Sequence, residues 1–243
     1  MSNPVWQTPS ELLTLTADRV DVWFAGLDHP AHSNEKFRAL LSEDEQARAA
    51  GFKFEHLRQH YTAGRAILRL ILSRYLQTPP QDITFQYNDY GKPELPATDL
   101  QFNLSHSGGL ALYAFIRQHR IGIDIERMRP LTDIETMMRH YFSQSECASL
   151  LALPQHLRVQ GFYNCWTRKE AYIKAIGRGL SQPLDSFAVS LTPGKPPRLL
   201  RVEGEPEASQ RWTIFDLPVP SGFQAALAVE HPGSTLNLWQ FTP

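Results

Sequence analysis

Apolar and polar positions along this 243-residue chain repeat with two periods. A period of two marks strands, whose successive side chains point to opposite faces, and one near 3.6 marks helices. RVDVWFAGL at 19–27 reads as an early strand, with Val20, Val22 and Phe24 on one face. SEDE at 42–45 is a capping-box pattern and opens a helix to about Gly51. HLRQHYTAGRAILRLILSRYL at 56–76 is a longer helix closed by Pro79 and Pro80. Leu68, Ile71, Leu72 and Tyr75 form its apolar stripe, and Arg58, Arg65 and Arg69 share roughly one side. ITFQYN, a turn at DYGKP, and LQFNLSHSGG follow, the last a strand running into a small-residue loop.

LALYAFI at 110–116 is a strongly apolar strand, and IGIDIE at 121–126 alternates without a break. Ile121, Ile123 and Ile125 take one face of it; Gly122, Asp124 and Glu126 take the other. The short link RQHR predicts that these two strands pair as a hairpin. Residues 132–177 read as mostly helical, in at least two segments. Strands return at FAVSL, RWTIFDL, FQAALAVE and TLNLWQF. SGGLALYAFIRQHRIGIDIE and SGFQAALAVEHPGSTLNLWQ share one plan: Ser-Gly, an apolar strand, a short link, a second strand. A duplication of that kind predicts two similar α+β halves, 1–119 and 120–243, with an acid pair in one copy only.

Composition narrows the function classes. The chain is 42% hydrophobic and 20% charged, with net charge −1, so no basic excess exists to displace counterions from a nucleic acid. Its two cysteines, Cys147 and Cys165, form no C-x-x-C or Cys/His cluster, which speaks against a disulfide framework or a zinc site. The N-terminal stretch lacks the basic start and apolar run of a signal peptide, and no run approaches the ~20 apolar residues that span a bilayer. A soluble cytoplasmic protein is expected.

Several residue groups could carry chemistry. Asp124 and Glu126 sit side by side; two close carboxylates repel unless one takes a proton or a cation lies between them. A hard dication, Mg²⁺ or Mn²⁺, suits such oxygen ligands, and a solvated strand edge is the plain alternative. In FYNCWTRKEAYIKAIGRGL at 162–180, Trp166, Glu170 and Lys174 share a helix face. That supplies a third carboxylate and an ammonium for a phosphate, or merely an exposed i,i+4 pair. Ser105 and His106 lie in NLSHSGG, where hydroxyls and turn N–H groups can hold a phosphate, although a turn histidine is commonly structural. Lys92 sits on the YGKP turn, and Glu146 in FSQSEC completes a capping box with Ser143. Taken together these are parts for phosphoryl transfer or phosphodiester cleavage.

YGKP, FNLSHSGG, GIDIE, YFSQSE and WTRKEAYIKAIGRGL, in this order and spacing, resemble the 4′-phosphopantetheinyl transferases of the two-half, monomeric, surfactin-synthetase-activating type. The resemblance covers roughly residues 42–187. It implies an α+β fold of two halves related by pseudo-twofold symmetry. The implied reaction moves the phosphopantetheine arm of coenzyme A to a serine of an apo carrier protein and releases 3′,5′-ADP. It implies Asp124, Glu126 and Glu170 as ligands of Mg²⁺ or Mn²⁺, and Lys174 beside the pyrophosphate. Lys92, Ser105, His106 and Arg48 then match coenzyme A contacts, and Glu146 matches the acid proposed as general base, with metal-bound water as the alternative. Glu45 departs from the pattern by standing where the family has a basic residue; Arg65 or Arg58 is the expected substitute at the 3′-phosphate. A metal-dependent nuclease and an inactive coenzyme A or carrier-binding module are the competing readings. Nucleic acid and membrane are not expected partners.

Overall fold

In the computed structural model two sheets lie face to face, each covered on its outer side by a long helix. The structure describes residues 6–9, 13–28, 35–96 and 98–242; the first five residues, part of the stretch read for a leader, lie outside them. The first sheet has the order β11-β1-β5-β4, from β1 (Arg19–Gly26), β4 (Leu100–Ser107), β5 (Leu110–Arg117) and β11 (Thr235–Gln240). The second has the order β6-β10-β9, from β6 (Ile121–Arg127), β9 (Thr213–Asp216) and β10 (Phe223–Val229). Two minor ribbons pair β2 (Gln86–Tyr87) with β3 (Pro93–Glu94) and β7 (Phe187–Val189) with β8 (Leu199–Val202). Helices α1 (Glu35–Ala39), α2 (Glu43–Ala50) and α3 (Glu55–Leu76) precede β2. Next after β6 come α4 (Ile134–Tyr141), α5 (Gln144–Leu151) and α6 (Arg158–Ile176), and the short α7 (Ala208–Arg211) leads into β9. The mixture is α+β, and both capping boxes form: the Glu45 carboxylate accepts the Ser42 N–H at 3.1 Å, and the Glu146 carboxylate accepts the Ser143 N–H at 2.8 Å.

Three apolar cores explain the layering. One joins α3 to the outer face of the first sheet through Ile67, Leu68, Ile71, Trp23 and Phe115. A second joins α6 to the second sheet through Phe162, Tyr172, Ile173, Ala226 and Ala228. The third lies between the sheets and holds Val22, Leu112, Ala114 and Ile116 against Ile121, Ile123, Ile125 and Leu227. The three isoleucines of β6 are fully buried, each contributing about 1.5–3 kcal/mol through the water-exposed area it removes.

That third core corrects one expectation. β5 and β6 do not form a hairpin; β5 pairs with β1 and β4, and β6 pairs with β10. The apolar faces of the two strands stack across the sheet interface, which buries both, whereas edge pairing would leave one face of each to be covered elsewhere. The hairpin lies one strand earlier, where Gly108 and Gly109, both at positive φ, make the two-residue turn between β4 and β5. The two similar segments share this crossing. β5 continues into β6 of the second sheet, and β10 continues into β11, which lies parallel to β1 in the first.

Candidate active site

Gly122 sets the distance between the acid strand and α6. A Cβ there would overlap the Ala171 carbonyl oxygen and the Ala175 backbone nitrogen. With no side chain at 122 and alanines opposite, the helix backbone lies directly on β6. Glu170 and Lys174, one turn apart on α6, therefore reach Asp124 and Glu126. These four side chains line one cleft of about 960 Å³, open mouth included, with Ser105, His106, Tyr141 and Trp166.

The electrostatics are those of crowded acids with one counterion. Lys174 Nζ lies 2.6 Å from Asp124 Oδ1 and 3.0 Å from Ser105 Oγ, and Ser105 Oγ also donates to Asp124 Oδ1 at 3.0 Å. Asp124 is 3% exposed, and its Oδ2 is buried with no hydrogen-bond partner. Such an orphaned atom ordinarily costs ~1–3 kcal/mol, more when charged. Burial, then the Asp124 charge, raises the pKa of Glu126 against the pull of Ser107, Lys174 and Trp166. Burial and Asp124 likewise raise that of Glu170. An oxygen-only donor set with an unpartnered buried oxygen and two neighbouring carboxyls whose charged forms are disfavoured fits a hard divalent cation in its chemistry. As the side chains stand, no three acidic, imidazole or thiol groups among the described residues converge closely enough to hold an ion. Lys174 supplies the counter-charge instead.

His106 and Leu104 also line a second cavity, formed with Arg48, His60, Tyr61, Arg65 and Tyr87. Although His106 as a whole is exposed, desolvation of its ring by the surrounding walls, then Lys174 and His60, make the imidazole less basic. Arg48 is exposed, its guanidinium 5.6 Å from the centre of the Tyr61 ring. Glu45 lies behind this wall, 1% exposed, as a buried counterion. Arg65 Nε donates to its Oε1 at 2.6 Å and Arg69 Nε to its Oε2 at 2.7 Å. Burial works to raise the Glu45 pKa, but the two guanidiniums outweigh it and hold the carboxyl below its ordinary range. Arg65 is thus partly neutralised while still reaching Tyr87 Oη at 3.2 Å. Arg58 does not reach this cavity; it pairs with Glu55 at 2.9 Å and lines a separate groove with Arg38.

Two further expected residues are placed elsewhere. Lys92 Nζ donates to the Lys174 carbonyl at 2.9 Å and the Ile121 carbonyl at 3.2 Å, tying the YGKP turn to the end of α6. Burial pulls its pKa down to about 8. Only its neighbours Gly91 and Pro93 line the basic cavity. Glu146 is 2% exposed and fully engaged. Its Oε2 takes the Ser143 N–H and Oγ and the Lys169 ammonium, each at 2.8 Å, and its Oε1 takes the Val189 N–H at 2.8 Å. In this arrangement the carboxylate has no access to the cleft, so the structure gives Glu146 a structural place rather than that of a general base. Sequence reasoning passed over His60, Tyr61 and Tyr87, and also Asn103 and Ser107. The last two were within reach, since N-x-S-x-S on a strand puts 103, 105 and 107 on one face.

Comparison with known proteins bears on this geometry. Residues 120–228 match the 4′-phosphopantetheinyl transferase superfamily, and residues 30–117 match its family described as 4′-phosphopantetheinyl transferase, N-terminal. The 4′-phosphopantetheinyl transferase HetI of Nostoc sp. is 37% identical, covering 99% of this chain and 100% of that protein. The 4′-phosphopantetheinyl transferase Sfp of Bacillus subtilis is 34% identical, covering 85% of this chain and 90% of that one.

Proposed function

The chain belongs to the 4′-phosphopantetheinyl transferase superfamily, and on that premise we propose that it moves the phosphopantetheine arm of coenzyme A to a serine of an apo carrier protein, with Mg²⁺ or Mn²⁺ and release of 3′,5′-ADP. One observation carries the detailed reading. An acid cluster and a basic cavity adjoin through Leu104 and His106, which line both. Coenzyme A has the matching polarity, a pyrophosphate that needs neutralising and a phosphorylated adenosine that needs cations.

Asp124, Glu126 and Glu170 are the residues that would hold the divalent ion, which when bound supplies charge neutralisation at the pyrophosphate. Lys174, already against Asp124, offers its ammonium to the same phosphates. His106 and Ser105 line the cleft beside it, and Arg48, with Arg65, faces the 3′-phosphate. The serine oxygen bonds to the phosphorus that carries pantetheine and gives up its proton to solvent, the bond from that phosphorus to the bridging oxygen breaks, and 3′,5′-ADP leaves with the electron pair. Leu104, Tyr141 and Trp166 form an apolar mouth that suits the pantetheine arm.

We read the halves as 1–119 and 120–243, the second lending its last strand, β11, to the sheet of the first, and the protein as a monomer, since both sheets are already covered within one chain. The described residues contain no helix long and apolar enough to cross a membrane, and both cysteines are free, which supports a reducing, cytoplasmic setting. The test is incubation with coenzyme A, Mg²⁺ and several apo carrier proteins, followed by intact-mass analysis. A phosphopantetheine mass gain that disappears in Asp124→Ala and Glu170→Ala is expected. Transfer that survives both substitutions would sink the site assignment, and no transfer to any carrier would sink the function.

A further inference from the structure

β6 is an edge strand of its sheet, and the N–H groups of Ile123, Ile125 and Arg127 point away from β10. Unpaired edge groups need partners, and here side chains of β4 take the place of a strand. Ile123 N–H donates to Asn103 Oδ1 at 2.8 Å, Ile125 N–H to Ser105 Oγ at 3.3 Å, and Arg127 N–H to Ser107 Oγ at 3.1 Å. The spacing is two residues on both strands, so this side-chain ladder fixes the register of the acid strand against β4.

Its last rung does more than fill an edge. Ser107 Oγ accepts from Arg127 N–H and also donates to Glu126 Oε2 at 3.0 Å. A hydroxyl has one proton to give, so these two bonds define its orientation and tie the Glu126 carboxylate to the backbone of its own strand. The turn holds Ser107 there, because the next residue, Gly108, packs so closely that a Cβ would sit 2.8 Å from Arg127 Cδ. Trp166 lines the same cleft beside Glu126. We infer that Ser107 is a positioning residue of the cation site, aiming Glu126 so that its other oxygen faces the cleft. This rests on the reading of Asp124, Glu126 and Glu170 as cation ligands.

The Arg127 rung is at the exposed end of the ladder, so loss of the Ser107 hydroxyl weakens ion binding far more than the fold. Ser107→Val and Ser107→Thr have the same shape and differ only in that hydroxyl, and both suit a strand. The full chain, without coenzyme A, is titrated with Mn²⁺, and free ion is followed by electron paramagnetic resonance. Ser107→Val is expected to bind ~10–100-fold more weakly, the usual effect of removing a partner of a ligand, while Ser107→Thr matches the wild type. Circular dichroism melting identifies a misfolded variant, in which case Ser107→Ala is titrated in place of Ser107→Val with the same expectation. Equal Mn²⁺ affinity of the Val and Thr variants, or loss in both, overturns the proposal. Absence of Mn²⁺ binding by the wild type overturns it together with the cation site. Carrier modification by that same sample would show that the transferase reading stands apart from this failure.

Discussion

Replacing Glu146 with glutamine separates a structural carboxylate from a catalytic one. The native group is 2% exposed and meets an ammonium, Lys169, that is fully buried and has two further partners, the carbonyls of Leu184 at 2.7 Å and Phe187 at 2.6 Å. Glutamine keeps an acceptor for Val189 or Ser143 but leaves the lysine charge uncompensated. Breaking a buried pair on one side costs ~3–5 kcal/mol, a large share of a typical stability of ~5–15 kcal/mol. At ~2–4 °C per kcal/mol for a chain of this size, the melting temperature should fall by about 6–20 °C. The assay is urea unfolding of wild type and variant, with carrier modification measured at a temperature where the variant is folded. The expected result is a large stability loss with a turnover per folded molecule near that of the wild type. Lys169→Met combined with Glu146→Leu should recover much of the stability, because replacing both members with apolar groups removes the stranded charge. Unchanged stability with a turnover loss of ~10²–10⁴ would refute this reasoning and restore Glu146 as a base.

Three other perturbations follow from the site. Gly122→Ala forces α6 off β6, so a stability loss of at least ~1–3 kcal/mol, read by urea unfolding, should accompany weakened Mn²⁺ binding. Glu170→Gln should stabilise the ion-free protein at neutral pH by about 0.5–2 kcal/mol, with a correspondingly higher melting temperature, while abolishing transfer. The sign follows from its raised pKa. The folded state holds the proton longer than the unfolded one, so stability is lost as pH climbs from the ordinary carboxylate range through the folded pKa, and the amide escapes that loss. A melting scan from pH 4 to pH 8 should therefore show the two proteins converging at the acid end. Arg48→Ala should raise the KM for coenzyme A by about 10–100-fold with little change in kcat, the cost of one charge-assisted contact, and much less for the 3′-dephospho form. Equal losses on both substrates would remove Arg48 from the 3′-phosphate.

The parts of the fold carried by local pattern were legible in the sequence. Both capping boxes, the period-two isoleucines and the shared face of Trp166, Glu170 and Lys174 need only near neighbours. What escaped depends on which sheet a strand joins. A four-residue link between two apolar strands suggests a hairpin, but it serves a face-to-face crossing equally well, and the choice is made by β10, roughly a hundred residues onward in the chain. Glu45 shows the same limit at a single residue. By position it is an acid where a phosphate calls for a cation; only the fold brings Arg65 and Arg69 onto it. Lys92 and Glu146 belong to the same class, since a motif fixes which residue is present and not whether its charged end is already taken.

The joint between β4 and β6 connects these facts. Backbone pairing would bring the two strands to about 4.8 Å and close the surface over them. A ladder of side chains holds them further apart, and Ser105 and His106 of β4 then face Asp124 and Glu126 of β6 across one cleft. The same crossing that sends β6 into the second sheet leaves its outward edge free for Asn103, Ser105 and Ser107. An acid strand in the middle of a continuous sheet would have had its carboxylates flanked by neighbours on both sides. Placed at an edge and bridged by hydroxyls, it keeps a buried oxygen of Asp124 unpartnered.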